Sequence, residues 1–460
     1  MTNDREFLGT EPVGRLLFKL AIPTVAAQIV NMLYNIVDRI YIGHMPGNGD
    51  IALTGVGVCL PIIMIVSAFA ALASAGGAPR ASIFMGQGDK DSAEKTLGSC
   101  LALQVIVSVV LTVVLLIFGK PLLMSFGASP ETIGYATAYL NIYAVGTIFV
   151  QITLGMNAFI TAQGFTKTSM LTVLIGAILN IVLDPIFIFV FKMGVRGAAL
   201  ATVLSQGVSC IWVLIFLSGK KTSLRLQKGN LTLSTKFILP CIALGLAPFI
   251  MQASESIISV CFNASLQRYG GDLAVGAMTI LTSVTQFAAL PVQGVAQGAQ
   301  PISSYNYGAG NKERVKKTFF ILLAVSLSYT AILWCLVMIF PEMFVLMFND
   351  SPALVSFAAN ALRLYYFGMG LFGIQMACQM TFISLGNAKA SIIVAVVRKF
   401  VLLVPLIYIM PALMADKTKA VYMAEPIADV LAVLFTSILF IFEFRKALKG
   451  MDKPSSQVEA

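Results

Sequence analysis

Between residues 14 and 444 the chain sets down one apolar stretch after another, each long enough to cross a bilayer. A helical span needs about 20 predominantly apolar residues. Twelve stretches reach that length: 14–42, 51–77, 96–118, 133–160, 168–191, 197–218, 235–263, 273–300, 317–340, 354–384, 389–411 and 419–444. Charged residues make up only 11% of the chain, against roughly 25% in soluble domains. Lipid offers no partner to an open strand edge, so the expected fold is an all-α integral membrane protein with twelve transmembrane helices.

The series is also a duplication. At an offset of 222, Gly76, Pro79, Gly86, Gly88, Lys90 and Lys95 fall on Gly298, Pro301, Gly308, Gly310, Lys312 and Lys317. The register returns where Phe126, Ser129 and Pro130 meet Phe348, Ser351 and Pro352, and where Gly164, Lys167 and Ser169 meet Gly386, Lys389 and Ser391. Six spans per half is an even number, so both halves enter from the same side and are parallel repeats. We expect an N-terminal six-helix lobe over 1–218, a cytoplasmic linker over 219–235 and a C-terminal six-helix lobe over 236–460. Duplicated halves that rock around a central cavity are the architecture of a secondary transporter.

The net charge is +10, but most of the 31 Lys and Arg residues lie at the two termini and in the even-numbered loops. That bias places those loops and both termini in the cytoplasm. It is a topology signal and gives no reason to expect nucleic acid. The seven cysteines stand singly in apolar runs, without metal-ligand spacing, and read as small core hydrophobes. With one histidine, His44, and no GxSxG, HExxH or Walker A pattern, the sequence does not read as an enzyme and calls for no cofactor.

Polar residues inside the spans carry the functional reading. The first span holds Thr24, Gln28, Asn31, Asn35 and Asp38 at alternating steps of four and three, a single helical face. The fifth carries Asn180 and Asp184 one turn apart, then Pro185, which deprives the Ile181 carbonyl of its helical donor and permits a bend. A carboxylate at mid-membrane depth costs at least about 2.5–3.5 kcal/mol, so Asp38 and Asp184 are read as functional. In the second half, Gln252 and Glu255 form a face in the seventh span, and Gln286 and Gln293 another in the eighth. Gln375, Met376 and Gln379 sit in the tenth; with the preceding residues they are expected to line a substrate cavity, alongside Gln28, Asn31 and Asn35. Arg398 in the eleventh span and Glu425 and Asp429 in the twelfth are expected to compensate one another as a structural charge pair.

The stretches "IVDRIYIGHMP", "GAPRASIFMGQGDK", "ITAQGFTKTSM", "ILNIVLDPIFI", "GAALATVLSQ" and "MAEPIAD" resemble, together and across essentially the whole chain, the MATE (multidrug and toxic compound extrusion) family, most like its bacterial MepA-type branch. The resemblance implies twelve helices in two lobes, and export driven by an inward proton or sodium gradient in a bacterial plasma (inner) membrane. By motif, the family's cation site falls on Asp38, Asn180, Asp184 and Thr202. Such hard oxygen donors suit sodium. They equally suit a proton, since two carboxylates close together in low dielectric do not both stay charged. A related branch has carboxylates on the seventh and tenth helices; Glu255 matches the first, whereas the tenth offers only "GLFGIQ".

The resemblance also implies lipophilic, often cationic, drugs as substrates, which fits aromatic faces and the 21 methionines. Membrane lipid is the other expected partner, and a monomer the expected state. Two alternatives stay open. A flippase for lipid-linked precursors calls for a strongly cationic lumen, whereas the mid-span charges are mainly acidic apart from Arg39, Arg398 and Lys399. A non-transporting receptor or scaffold calls for a sizeable soluble domain.

Overall fold

The computed structural model describes residues 7–47, 49–348 and 351–451, so the outer ends of both expected lobes lie outside the described residues. Ten continuous helices among these are long and apolar enough to cross a membrane. One of them, Thr235–Gly308, is 74 residues long and holds two passes. At Gly271 the backbone takes φ 64 and ψ −161, a conformation open to glycine and strained for other residues, and the chain turns back there. The tenth pass is interrupted: Pro352–Tyr365 leads through a 3-10 stretch, Tyr366–Leu371, into Phe372–Ser384.

The passes are therefore α1 Val13–Gly43, α2 Gly49–Gly86, α3 Lys90–Ser125, α4 Ile133–Ala162, α5 Thr166–Val190 and α6 Val195–Ser218 in the first half. The second half holds α7 (235–270), α8 (272–308), α9 Lys312–Ile339, α10 (352–384), α11 Ala388–Leu413 and α12 Lys417–Gly450. The expected twelve-helix, all-α fold is the observed one. Pro185 does not end α5; the helix runs through it and widens into a π turn, Ile186–Val190. α11 also contains a π segment, Val397–Leu403. Pro405, which lacks an N–H, follows it directly.

The repeated motifs explain themselves at the seam between the halves. A Cβ on Gly86 would lie 2.0 Å from the carbonyl oxygen of Tyr305, and one on Gly308 would lie 2.0 Å from that of Ile83. Each contact is the other's image at the 222-residue offset, so α2 and α8 cross backbone to backbone. Small residues permit such approach in membrane bundles. After each crossing a polar residue caps the next helix: Asp89 accepts from the Ser92 amide at 3.0 Å, and Asn311 from the Arg314 amide at 3.2 Å.

Core membership does not follow chain order. Leu16, Leu17, Leu20 and Ala21 of α1 are buried among α7–α12 side chains, whereas Cys241 near the start of α7 is buried with α2, α3, α4 and α6. The two halves thus interlock through the first turns of α1 and α7. The linker is likewise part of the first lobe. Oε1 of Gln163 accepts from the Thr222 hydroxyl and the Ser223 and Leu224 amides, each at 2.8 Å. Glu94 accepts from the Arg225 amide and the Gln227 side chain.

These contacts close one end of the molecule, the end bearing the Lys/Arg-rich linker. There the Thr24 hydroxyl donates to the Gly294 carbonyl at 2.6 Å, and Gln28 donates to Gln297 at 3.1 Å, both joining α1 to α8. Beyond Thr24 no α1 residue is buried until Ile42. Over that length exposed residues alternate with half-buried ones, among them Tyr34 and Asp38, so one face stays packed in the first lobe while Asn31 and Asn35 are left open. The lobes are packed at one end and parted at the other.

Candidate cation and substrate sites

Three helices of the first lobe converge on four of the expected residues. α1 supplies Asp38, α5 Asn180 and Asp184, and α6 Thr202. Asp184 is fully buried and Asn180 is 2% exposed. The Asn180 amide is shared between Asp184 Oδ1 and the Thr202 hydroxyl, each at 3.4 Å. The Asp38 and Asp184 carboxyl groups lie within hydrogen-bonding reach of each other. Neither has a donor of its own, so a proton held by one of them, or a cation between them, is what makes the contact favourable.

Three oxygens at this point are buried without a partner: Asp38 Oδ1, Asn180 Oδ1 and Asp184 Oδ2. All are acceptors only, and a buried acceptor without a donor is costly. Two carboxylates with neutral oxygens make a hard, singly or doubly negative donor set, which fits a proton or an alkali cation. No group of three or more His, Cys, Asp or Glu placed to hold a metal occurs among the described residues.

Two tyrosines were not singled out from the sequence. Tyr139 of α4 is buried, lies near Thr202 and stacks on Tyr143 at 6.3 Å. Tyr34 stands one turn before Asp38 on α1. The signal available was spacing: Tyr34 shares a face with Asp38, and Tyr139 with Tyr143, at four residues.

In the second lobe the expected acids are paired. The Arg398 guanidinium reaches Asp429 Oδ1 through Nη2 at 2.8 Å and Nε at 3.0 Å, lies 3.6 Å from Glu425, and stacks over Phe372. Lys399, without an assigned partner in the sequence reading, is buried and meets Glu255 at 2.6 Å. Glu255, expected on the cavity wall, is exposed there and has Lys399 as its ionic partner. Neighbouring residues on an α-helix point about 100° apart; the π segment Val397–Leu403 is where both cations turn inward.

The expected cavity residues divide. Asn31, Asn35, Gln252 and Gln286 are exposed and Gln293 partly so, on the stretches of α1, α7 and α8 that part beyond the closed end. Gln28 sits at the floor, bonded to Gln297. Gln375, Met376 and Gln379 are corrected: all three are buried inside the second lobe. Met376 belongs to its apolar core, and Gln379 donates to the Ser391 hydroxyl at 2.7 Å, tying α10 to α11. A polar pair one turn apart marks a buried helix contact as readily as a cavity wall.

Twelve passes in two lobes around a cleft closed at one end define a polytopic membrane transporter. Residues 23–186 and 248–409 match the model of the MatE family, one match in each half, and the chain belongs to that family. It is 24% identical over 401 residues to the multidrug export protein MepA of Staphylococcus haemolyticus, covering 87% of this chain and 88% of that one. To the protein of the same description from Staphylococcus saprophyticus it is 22% identical over 427 residues, 92% of this chain and 93% of that one. Among solved structures, one described as MATE in the bent conformation superposes with a TM-score of 0.92 at 24% identity, covering 98% of this chain and all of that one. Another, an outward-facing multidrug resistance MATE family transporter, gives 0.88 at 24% identity over 99% of this chain and all of that one.

Proposed function

We propose that this protein is a cation-coupled antiporter that exports lipophilic, often cationic, compounds across a bacterial plasma membrane by alternating access, with both termini on the cytoplasmic side. The observation that carries the reading is the carboxyl pair: Asp38 and Asp184 face each other, and one oxygen on each, with Asn180 Oδ1, is buried without a donor. Proton or sodium satisfies them when the site is filled; without it the two carboxylates repel. Asp38 lies on α1, whose first turns are packed in the opposite lobe, so drawing Asp38 towards Asp184 or releasing it acts on the joint between lobes. Asn180 and Thr202 orient the pair by sharing one amide.

The substrate occupies the cleft in this reading, against Asn31, Asn35, Gln252 and Gln286. Cation binding favours one orientation of the lobes and substrate binding the other, and the coupling is reciprocal. The alternative of a lipid-linked precursor flippase is disfavoured because Lys399 and Arg398 are both engaged by acids. The test is export of ethidium from proteoliposomes under an imposed proton gradient or an imposed sodium gradient. One of the two should drive wild type, and Asp38→Asn and Asp184→Asn should each abolish the driven component. Pumping by both variants at the wild-type rate contradicts the assignment.

A further inference from the structure

The first lobe buries more polar side chains than its carboxyl pair requires, and they form a line. From Asp184, α5 runs towards the closed end through Asn180, Gly176, Thr172 and Ser169, steps of four, four, four and three along one face. Those 15 residues cover about 22 Å of helix. α6 faces this stripe: the Ser209 hydroxyl donates to the Thr172 carbonyl at 3.1 Å, and a Cβ on Gly176 would sit 2.8 Å from that same hydroxyl. α4 closes the third side, where Asn157 donates to the Ser169 carbonyl at 3.3 Å.

Along the line, three oxygens are buried without a hydrogen-bond partner, Asn180 Oδ1, Ser205 Oγ and Gln206 Oε1; a fourth, Asn157 Oδ1, has its unpartnered image in Gln379 Oε1 of the second lobe. Ser205 and Asn180 are each 2% exposed. Unpartnered buried oxygens demand an occupant, and here they are spaced from the carboxyl pair to the closed end.

The second lobe supplies the control. Gln379 donates to the Ser391 carbonyl at 3.3 Å, the image of Asn157 and Ser169 at the 222-residue offset. That tie is common to both lobes and is structural. Beyond it the images part: Thr172 corresponds to Val394, Asn180 to Leu402, and Gly176 to Arg398. Arg398 is locked to Asp429 and Glu425. The polar line continues to an acid in one lobe and is apolar or plugged by a guanidinium in the other.

We propose that the seam between α4, α5 and α6 is the route by which the coupling cation passes between the Asp38–Asp184 pair and the closed side, with Ser205, Gln206 and Ser209 as its relay groups. This rests on the coupling role proposed above for the pair. A path open at both ends would leak; the Thr161 hydroxyl, which donates to Ser169 Oγ at 2.8 Å where the line ends, is placed to close it. Substrate then uses the cleft between the lobes, and the cation the interior of one lobe.

The test uses the full-length protein in proteoliposomes with ethidium as the probe. Gradient-driven export is compared with exchange of labelled for unlabelled ethidium at equal ion concentrations, which needs no net cation passage. Ser205→Ala combined with Gln206→Leu removes the acceptors with little change of volume, and Gln379→Leu is the control in the other lobe. The double variant should exchange like wild type and lose driven export roughly tenfold, under the proton or the sodium gradient, whichever drives wild type. Driven export at the wild-type rate overturns the route, provided Asp184→Asn abolishes it; if Asp184→Asn also pumps, the coupling assignment itself is what has failed. Equal loss of driven export and exchange, or an equal loss of driven export in Gln379→Leu, assigns the seam to packing and likewise overturns the route.

Discussion

Asp38 and Asp184 in the first lobe, and Glu255, Glu425 and Asp429 in the second, are acids inside the apolar passes of one protein. The first two make no salt bridge among the described residues and leave three oxygens at their site without donors. The other three meet Arg398 and Lys399 at 2.6–3.6 Å. Burial of a charge is tolerated when it is paired, so the second cluster is complete as built. Under the proposed function the first is completed by a proton or cation from outside the chain. Duplication supplied two similar lobes, and the placing of two basic residues on α11 is what separates acids paired within the chain from acids left without a cationic partner.

The comparison is broken most severely by removing the second lobe's cation. Arg398→Met leaves Asp429 and Glu425 buried and unpaired, and should cost about 3–5 kcal/mol of stability, read as a lowered unfolding midpoint in detergent. An unchanged midpoint would place those acids with the loadable pair instead.

A smaller effect sharpens the same contrast at the repeated caps. Asp89 starts α3 and Asn311 starts α9, each accepting one backbone amide. The hydrogen bonds from Ser92 hold the Asp89 carboxyl below its ordinary value. A depressed folded value means stability that is present above the unfolded value, near 3.9, and is lost as pH falls through the folded one. Asp89→Ala should therefore cost about 1 kcal/mol at pH 7 and less near pH 3. Asn311→Ala should cost a similar amount at both, because the amide does not titrate. Thermal melts of the two variants at the two pH values check it.

Hydropathy and the 222-residue register made the passes and the lobes legible, because span length and glycine-dependent crossings are written locally. The four residues around the carboxyl pair were legible too: a polar side chain in an apolar helix stands out. What stayed hidden is tertiary. Nothing in the spacing of Gln375 and Gln379 says whether α10 turns them to a cleft or to Ser391. The pairing of Lys399 with Glu255 depends on a π segment that shifts the face of α11. The crossing of α1 into the opposite core depends on partners more than 200 residues away, such as Gly294 for Thr24.

The most direct test of the contrast sets Asp184→Asn beside Asp429→Asn in one preparation, measuring gradient-driven ethidium export per folded protein together with the unfolding midpoint. Our account predicts that Asp184→Asn loses driven export while keeping its midpoint, and that Asp429→Asn lowers the midpoint while the molecules still folded remain coupled. The reverse pattern, a coupled Asp184→Asn and an uncoupled but stable Asp429→Asn, would contradict it.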